Sequence, residues 1–122
     1  MNTISPYKND NLVLNLSFEF ALELIVFTEL LETRRKYNMA NQLFRSGTAN
    51  HANIREAQNA ESRADFIHKL KLAAKEAEET EGWLLLCQYA ASYPDCKDLL
   101  TNLASILKLL NKIIGTTKKS IS

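Results

Sequence analysis

Residues 63–91 read RADFIHKLKLAAKEAEETEGWLLLCQYAA, and this stretch decides the fold. Small and apolar side chains recur at Phe66, Leu70, Ala73, Ala77, Thr80, Leu84, Cys87 and Ala91, in alternating steps of four and three. A mean step of about 3.5 residues keeps one stripe of a helix against a neighbour in left-handed bundle packing. The small residues at the centre of the stripe let that neighbour approach closely. Ser62-Arg-Ala-Asp65 forms a capping box with Asp in place of Glu or Gln, so the helix begins near Arg63. It runs to about Ala91, and Pro94 separates it from the next helix.

The same period continues on both sides. Downstream, Leu99, Leu103, Ile106, Leu110 and Ile113 stripe a helix from Asp95 or Lys97 to Ile114. Gly115 suits its C-terminal cap, which leaves 116–122 as a frayed basic tail. Upstream, a helix from Tyr37 to Ala57 carries the seam Met39, Leu43, Ser46, Asn50, Asn53, Ala57, polar in its middle. Those buried polar groups need partners. A neighbouring stripe, Ala40, Phe44, Gly47, His51 and Ile54, is more apolar. The charged run Glu32 to Lys36 marks a turn. Before it lies a helix capped at Asn15 or Ser17 and ending near Thr33. Residues 1–14 read as a loosely ordered segment.

These elements predict an all-α protein. The architecture is an antiparallel up-down-up-down four-helix bundle over residues 15–115. The first helix adds one requirement. Leu16, Phe20, Leu24, Phe27 and Leu31 form one face, while Phe18, Leu22, Ile25 and Val26 cover most of the rest. A helix that is apolar all round must be covered all round, and three partners cannot do that. The leftover surface predicts a homo-oligomer.

Composition narrows the function classes. The 122 residues suit one domain. Hydrophobic residues make up 46% and charged residues 24%, with a formal charge of +1, which excludes a strongly basic nucleic-acid coat and a disordered polyelectrolyte. Charge is nevertheless uneven: residues 61–95 carry four basic and seven acidic side chains, residues 96–122 five basic and one acidic. Two cysteines, Cys87 and Cys96, make no disulfide framework. The N-terminus lacks a signal-peptide pattern, and Glu19, Glu23 and Glu29 interrupt the longest apolar region. The expected location is the cytoplasm, away from membranes.

Signals for catalysis are weak. There is no G-x-S-x-G elbow, Walker loop or dinucleotide fingerprint. Asp65-x-x-His68 places a carboxylate and an imidazole on one helical face, but di-metal carboxylate bundles need two Glu-x-x-His pairs and two further Glu. Neither metal nor cofactor is expected. Arg45 lies mid-helix among small and apolar residues, with Glu56 on the same face about 16 Å along the axis, too far to pair. Its expected partner is Glu76 or Glu79, at the centre of an antiparallel neighbour or on another subunit. The other reading places Arg45 at a wet rim. Arg34, Arg35 and Lys36 at one turn, with Lys118 and Lys119 in the tail, are the candidate phosphate contacts. They fall at opposite ends of an up-down bundle.

Four pieces of sequence carry a resemblance. They are Gln42-Leu-Phe-Arg45-Ser46, Ala52-Asn53-Ile54-Arg-Glu56-Ala-Gln, Ser62-Arg-Ala-Asp65-Phe66-Ile-His-Lys-Leu, and Ala74-Lys-Glu76-Ala-Glu-Glu79-Thr-Glu-Gly-Trp83. Over roughly residues 15–115 the chain resembles the bacterial four-helix bundle family named for reading frames in 23S ribosomal RNA intervening sequences. The resemblance implies a homopentameric ring without catalytic activity. It implies structural roles for Arg45, Asn53 and Glu56, with Glu76 and Glu79 opposite. Accessory proteins of diversity-generating retroelements are similar, and bind nucleic acid and a reverse transcriptase through a basic ring. The chain departs where Ala49-Asn50 replace the family's Ser-Ile, and its charge of +1 is low for such a ring. The first expectation is therefore a non-enzymatic homopentamer with weak binding to RNA or DNA. The alternative is a protein-interaction scaffold or accessory subunit of a nucleic-acid enzyme.

Overall fold

A computed structural model describes residues 5–7 and 10–121. Residues 1–4, 8, 9 and 122, within the two terminal segments expected to be loose, lie outside the described residues. Four helices form: α1 (Leu12–Thr33), α2 (Tyr37–Ala57), α3 (Arg63–Tyr89) and α4 (Lys97–Ile121). Each packs on its sequence neighbour, and α1 also meets α4. Cross-helix pairs run in opposite senses. Asn11 meets Gln58 and Ser17 meets His51; Arg45 meets Glu79 and Glu56 meets Lys69; Leu84 meets Cys96 and Arg63 meets Ser120. Consecutive helices are therefore antiparallel, and α1 and α3 occupy one diagonal of the bundle.

Three ends differ from expectation. Helix α1 starts at Leu12 because Asn11 caps it, its Oδ1 accepting from the Leu14 N–H at 3.4 Å. Asn15 and Ser17 lie inside the helix, both buried, and donate to the carbonyls of Asn11 and Leu14. Helix α4 passes through Gly115, which has no positive φ, and continues to Ile121. Its last turn is held by Arg63 of α3, whose Nη1 donates to the Ser120 carbonyl at 3.2 Å and hydroxyl at 2.9 Å. The frayed tail is thus replaced by a helical turn through Ile121. At the other end of α3, Ala90 turns extended two residues before the sequence suggested. Gln88 ties that turn by accepting from the Cys96 N–H at 2.7 Å and donating to Asp95 at 2.7 Å.

The core follows most of the expected stripes, but Ala91 is exposed and Phe66 and Asn53 are only half-buried, with Ile67 buried instead. Leu24, Leu31, Leu43, Ile54, Leu70, Leu84, Leu103 and Leu110 are fully buried. Between α2 and α3 the core turns polar, as the seam of α2 required. The Ser46 and Thr80 hydroxyls are 2.8 Å apart, and Asn50 Nδ2 donates to the Ala73 carbonyl at 2.8 Å. Asn50 Oδ1 has no partner among the described residues. Gly47 lets α1 and α2 touch, since a Cβ there would fall 1.8 Å from Leu24 Cδ2.

Candidate functional site

The turn after α1 is a Schellman motif, with Lys36 N–H bonded to the Leu31 carbonyl at 2.8 Å and Arg35 N–H to Glu32 at 2.9 Å. Such motifs place a residue at positive φ, and here it is Arg35, at 61°. Arg34 and Arg35 are exposed. Lys36 is engaged: its Nζ donates to Ser92 Oγ at 3.1 Å and sits 4.8 Å from the centre of the Tyr93 ring. It ties the α1–α2 turn to the α3–α4 turn at the same end of the bundle.

Lys118 and Lys119 lie at the other end, about 30 Å away by the length of α2. The two runs of basic residues are not brought together. Instead the fold brings Lys71 of α3 beside Lys118, and this neighbouring lysine pulls the Lys118 pKa down. Both lysines are exposed, and Arg63 stands nearby on Ser120. Nothing in the sequence of α3 alone pointed to Lys71, because its partner lies 47 positions away.

The α2–α3 seam collects the motif residues. Arg45 is bonded to Glu79 and Gln42 and stands 3.8 Å from Glu76. The same Glu79 oxygen accepts from Trp83 Nε1 at 3.2 Å. Glu56 is 4.0 Å from Lys69. Arg45 is not buried: its side chain is 56% exposed. The rim reading of Arg45 and the Glu76–Glu79 reading therefore hold together, within one chain. Asn53 donates to the Ala49 carbonyl of its own helix at 3.0 Å and ties no second element among the described residues. Gln42, Lys69 and Trp83 belong to this network and went unnoticed in the sequence as its members.

A second polar cluster was also missed. His51 on α2 contacts Ser17 Oγ at 2.9 Å through Nδ1 and Tyr7 Oη at 3.1 Å through Nε2. The rings of Tyr7 and Phe18 pack edge-on, and Phe18 does the same with His51. Ser17 donates its one proton to the Leu14 carbonyl. It must then accept from Nδ1–H, and in the neutral ring Nε2 accepts from Tyr7. Burial, and then the Arg55 charge, pull the His51 pKa below its usual value. Ser17 is fully buried with its proton turned away from the imidazole, so the pair is not an activated nucleophile.

Other reactive groups are quiet. Burial pushes the Cys87 thiol up to about 12 and the Cys96 thiol up to about 11, which keeps both protonated and weakly nucleophilic. Ser62 caps α3, accepting from the Asp65 N–H at 3.0 Å, while the Asp65 carboxylate accepts from the Glu61 N–H at 3.1 Å, and His68 is exposed. Among the described residues no three His, Cys, Asp or Glu side chains group as a metal site, and no helix is long and apolar enough to cross a membrane.

Known proteins match this arrangement. No curated protein matches the sequence. A crystal structure from Bacteroides thetaiotaomicron, described as a protein with unknown function from the S23 ribosomal protein family, is similar with a TM-score of 0.79 and 42% identity. The match covers 84% of this chain and 97% of that one. Residues 9–112 match the family described as 23S rRNA-intervening sequence protein. The four-helix fold and that match agree, and the chain belongs to the 23S rRNA-intervening sequence protein family.

Proposed function

We propose that this chain is a non-enzymatic assembly module that closes into a homo-oligomeric ring, a pentamer by the family resemblance, and touches nucleic-acid backbones weakly. One observation carries the reading: among the described residues, apart from the α1–α4 edge at Val26 and Leu30, two apolar patches stay uncovered on different faces at one end of the bundle. Tyr37 and Phe44 form one on the α1–α2 face, where Phe44 is 50% exposed. Leu85, Leu86 and Tyr89 form the other on α3, where Tyr89 is 85% exposed. Two unlike patches favour a head-to-tail contact, and such contacts close into rings when each step is a pure rotation. Both patches sit near the end shared by the α1–α2 and α3–α4 turns, so a step needs little rise. The Lys71–Lys118 pair would then recur around the opposite rim, where repeated charge strengthens the local field.

Absolute mass in solution tests the assembly, with Phe44→Asp and Leu86→Asp as separate variants. Each alone is expected to be monomeric. Mixed, they retain one intact interface per pair and should give a heterodimer but no ring. Self-association of either variant alone overturns the head-to-tail reading. RNA titration at two salt concentrations tests the second half, with steep loss of binding at high salt expected. A ring that ignores RNA removes the nucleic-acid role and leaves the assembly.

A further inference from the structure

Helices α1 and α4 pack least closely of the four adjacent pairs. Two depressions open between them, one of about 370 Å³ and one of about 230 Å³, and they share Glu23. The floor is apolar, with Leu16, Phe20 and Ile106 in the first and Phe27, Leu30 and Leu99 in the second. Val26, 66% exposed, stands at the edge. The rim is acidic: Glu19 and Glu23 from α1, Asp95 just before α4 and Asp98 in its first turn. No Lys or Arg lines either depression. Among the described residues Glu23, Asp95 and Asp98 have no basic partner; Glu23 accepts only a 3.3 Å bond from Asn102 across the groove.

We propose that this α1–α4 groove docks a basic amphipathic helix of a partner protein. Leu16 to Leu30 spans about 21 Å, which matches a helix of about 14 residues. An apolar stripe on that helix fills the two depressions, and flanking Lys or Arg meet the carboxylate rim. The exposed Asn102–Glu23 bond, long and solvent-facing, opens at little cost. A second copy of this chain is a poorer occupant. Of its two patches, the one on α2, where Arg34 and Arg35 flank Tyr37, is taken up by the assembly proposed above, and the one on α3 lies beside Glu78 and Glu81, which would face the acidic rim with like charge. Its basic stretch on α4 presents Lys108, Lys112 and Asn111 outward, with no large apolar side chain among them. The proposal concerns a different face from the assembly above and rests on that assembly engaging the α2 patch.

The test uses the full chain and two labelled 16-residue helical peptides with the same leucine stripe, one flanked by lysines and one by glutamates. Fluorescence anisotropy should show the basic peptide binding at least about tenfold more tightly, with affinity falling as salt rises. The Glu23→Lys, Asp98→Lys double variant changes two exposed positions and should weaken the basic peptide by about tenfold or more while helicity is unchanged. Val26→Asp, also exposed, should weaken both peptides. Equal binding of the two peptides, or binding untouched by these variants, overturns the proposal. So does hydrogen-exchange protection of residues 16–30 and 95–106 that grows with protein concentration in the absence of peptide, because a second copy then fills the groove.

Discussion

Leu24 of α1 occupies the space that a side chain on Gly47 of α2 would need: an ideal Cβ would fall 1.8 Å from its Cδ2 and 3.2 Å from its Cγ. Leu24 is fully buried and has no room to swing aside. Gly47→Ala adds helix propensity, worth up to about 1 kcal/mol, but overpacks a closed core, which costs about 1–3 kcal/mol. The expected outcome is a net loss in urea unfolding. Adding Leu24→Ala should recover part of it, and a double-mutant cycle that shows simple additivity would contradict the close contact.

Asn50 is fully buried, with its amide nitrogen on the Ala73 carbonyl and its Oδ1 unpartnered among the described residues. An orphaned buried acceptor is destabilising, and the Ala73 carbonyl can keep its own helical bond. Asn50→Leu should therefore raise stability by about 1 kcal/mol, read as a higher urea midpoint with unchanged slope. A loss of similar size would mean that the amide is fully satisfied in solution.

Arg35 holds the positive-φ position of the Schellman turn without the freedom of glycine. Arg35→Gly relieves a left-handed penalty but adds unfolded-state entropy, for a net gain of about 0.5 kcal/mol. Thermal unfolding at matched pH would reveal it; Arg35→Val, β-branched, should go the other way.

His51 makes stability depend on pH. Its folded-state pKa lies below the unfolded value near 6.5. Above pH 6.5 the imidazole is neutral in both states and the full contribution is present. As pH falls, the unfolded chain takes the proton first, and the contribution drains away until the folded pKa is passed. The stability gap between wild type and His51→Gln should therefore be smaller at pH 5 than at pH 7.5. A gap that widens on acidification would reverse the sign. Tyr7→Phe should raise the imidazole pKa seen by NMR, because it removes a donor that favours the neutral ring.

Glu79 joins Arg45 to Trp83, the single tryptophan. Glu79→Gln should shift the emission of that tryptophan with little stability change, since exposed ion pairs contribute about 0–1 kcal/mol. Arg45→Glu should be destabilising and Glu79→Arg should restore it. Failure of the swap would remove the pair from the seam.

Much of the fold was legible because burial repeats along a helix with a fixed period. The stripes Leu70–Ala73–Ala77–Leu84 and Leu99–Leu103–Ile106–Leu110 are core in the structure as in the sequence. The cap at Asn11 was masked by two equally good capping residues, Asn15 and Ser17, which the fold turned inward instead. The end of α4 was misread at Gly115 because the group that prolongs the helix, Arg63, comes from another element.

The sequence by itself determined four helices, their facing stripes and a polar seam in α2, and it offered a carboxylate on α3 as one of the settings for Arg45. Each rests on local periodicity or on a charge that needs an opposite charge. Only the tertiary structure decided that Lys36 is spent on Ser92 and Tyr93, that Lys71 stands beside Lys118, that Tyr7 reaches His51, and that α1 and α4 part into an acidic groove. Those relationships join residues far apart in the chain, where the distance between two side chains is set by how helices dock and not by spacing along one of them.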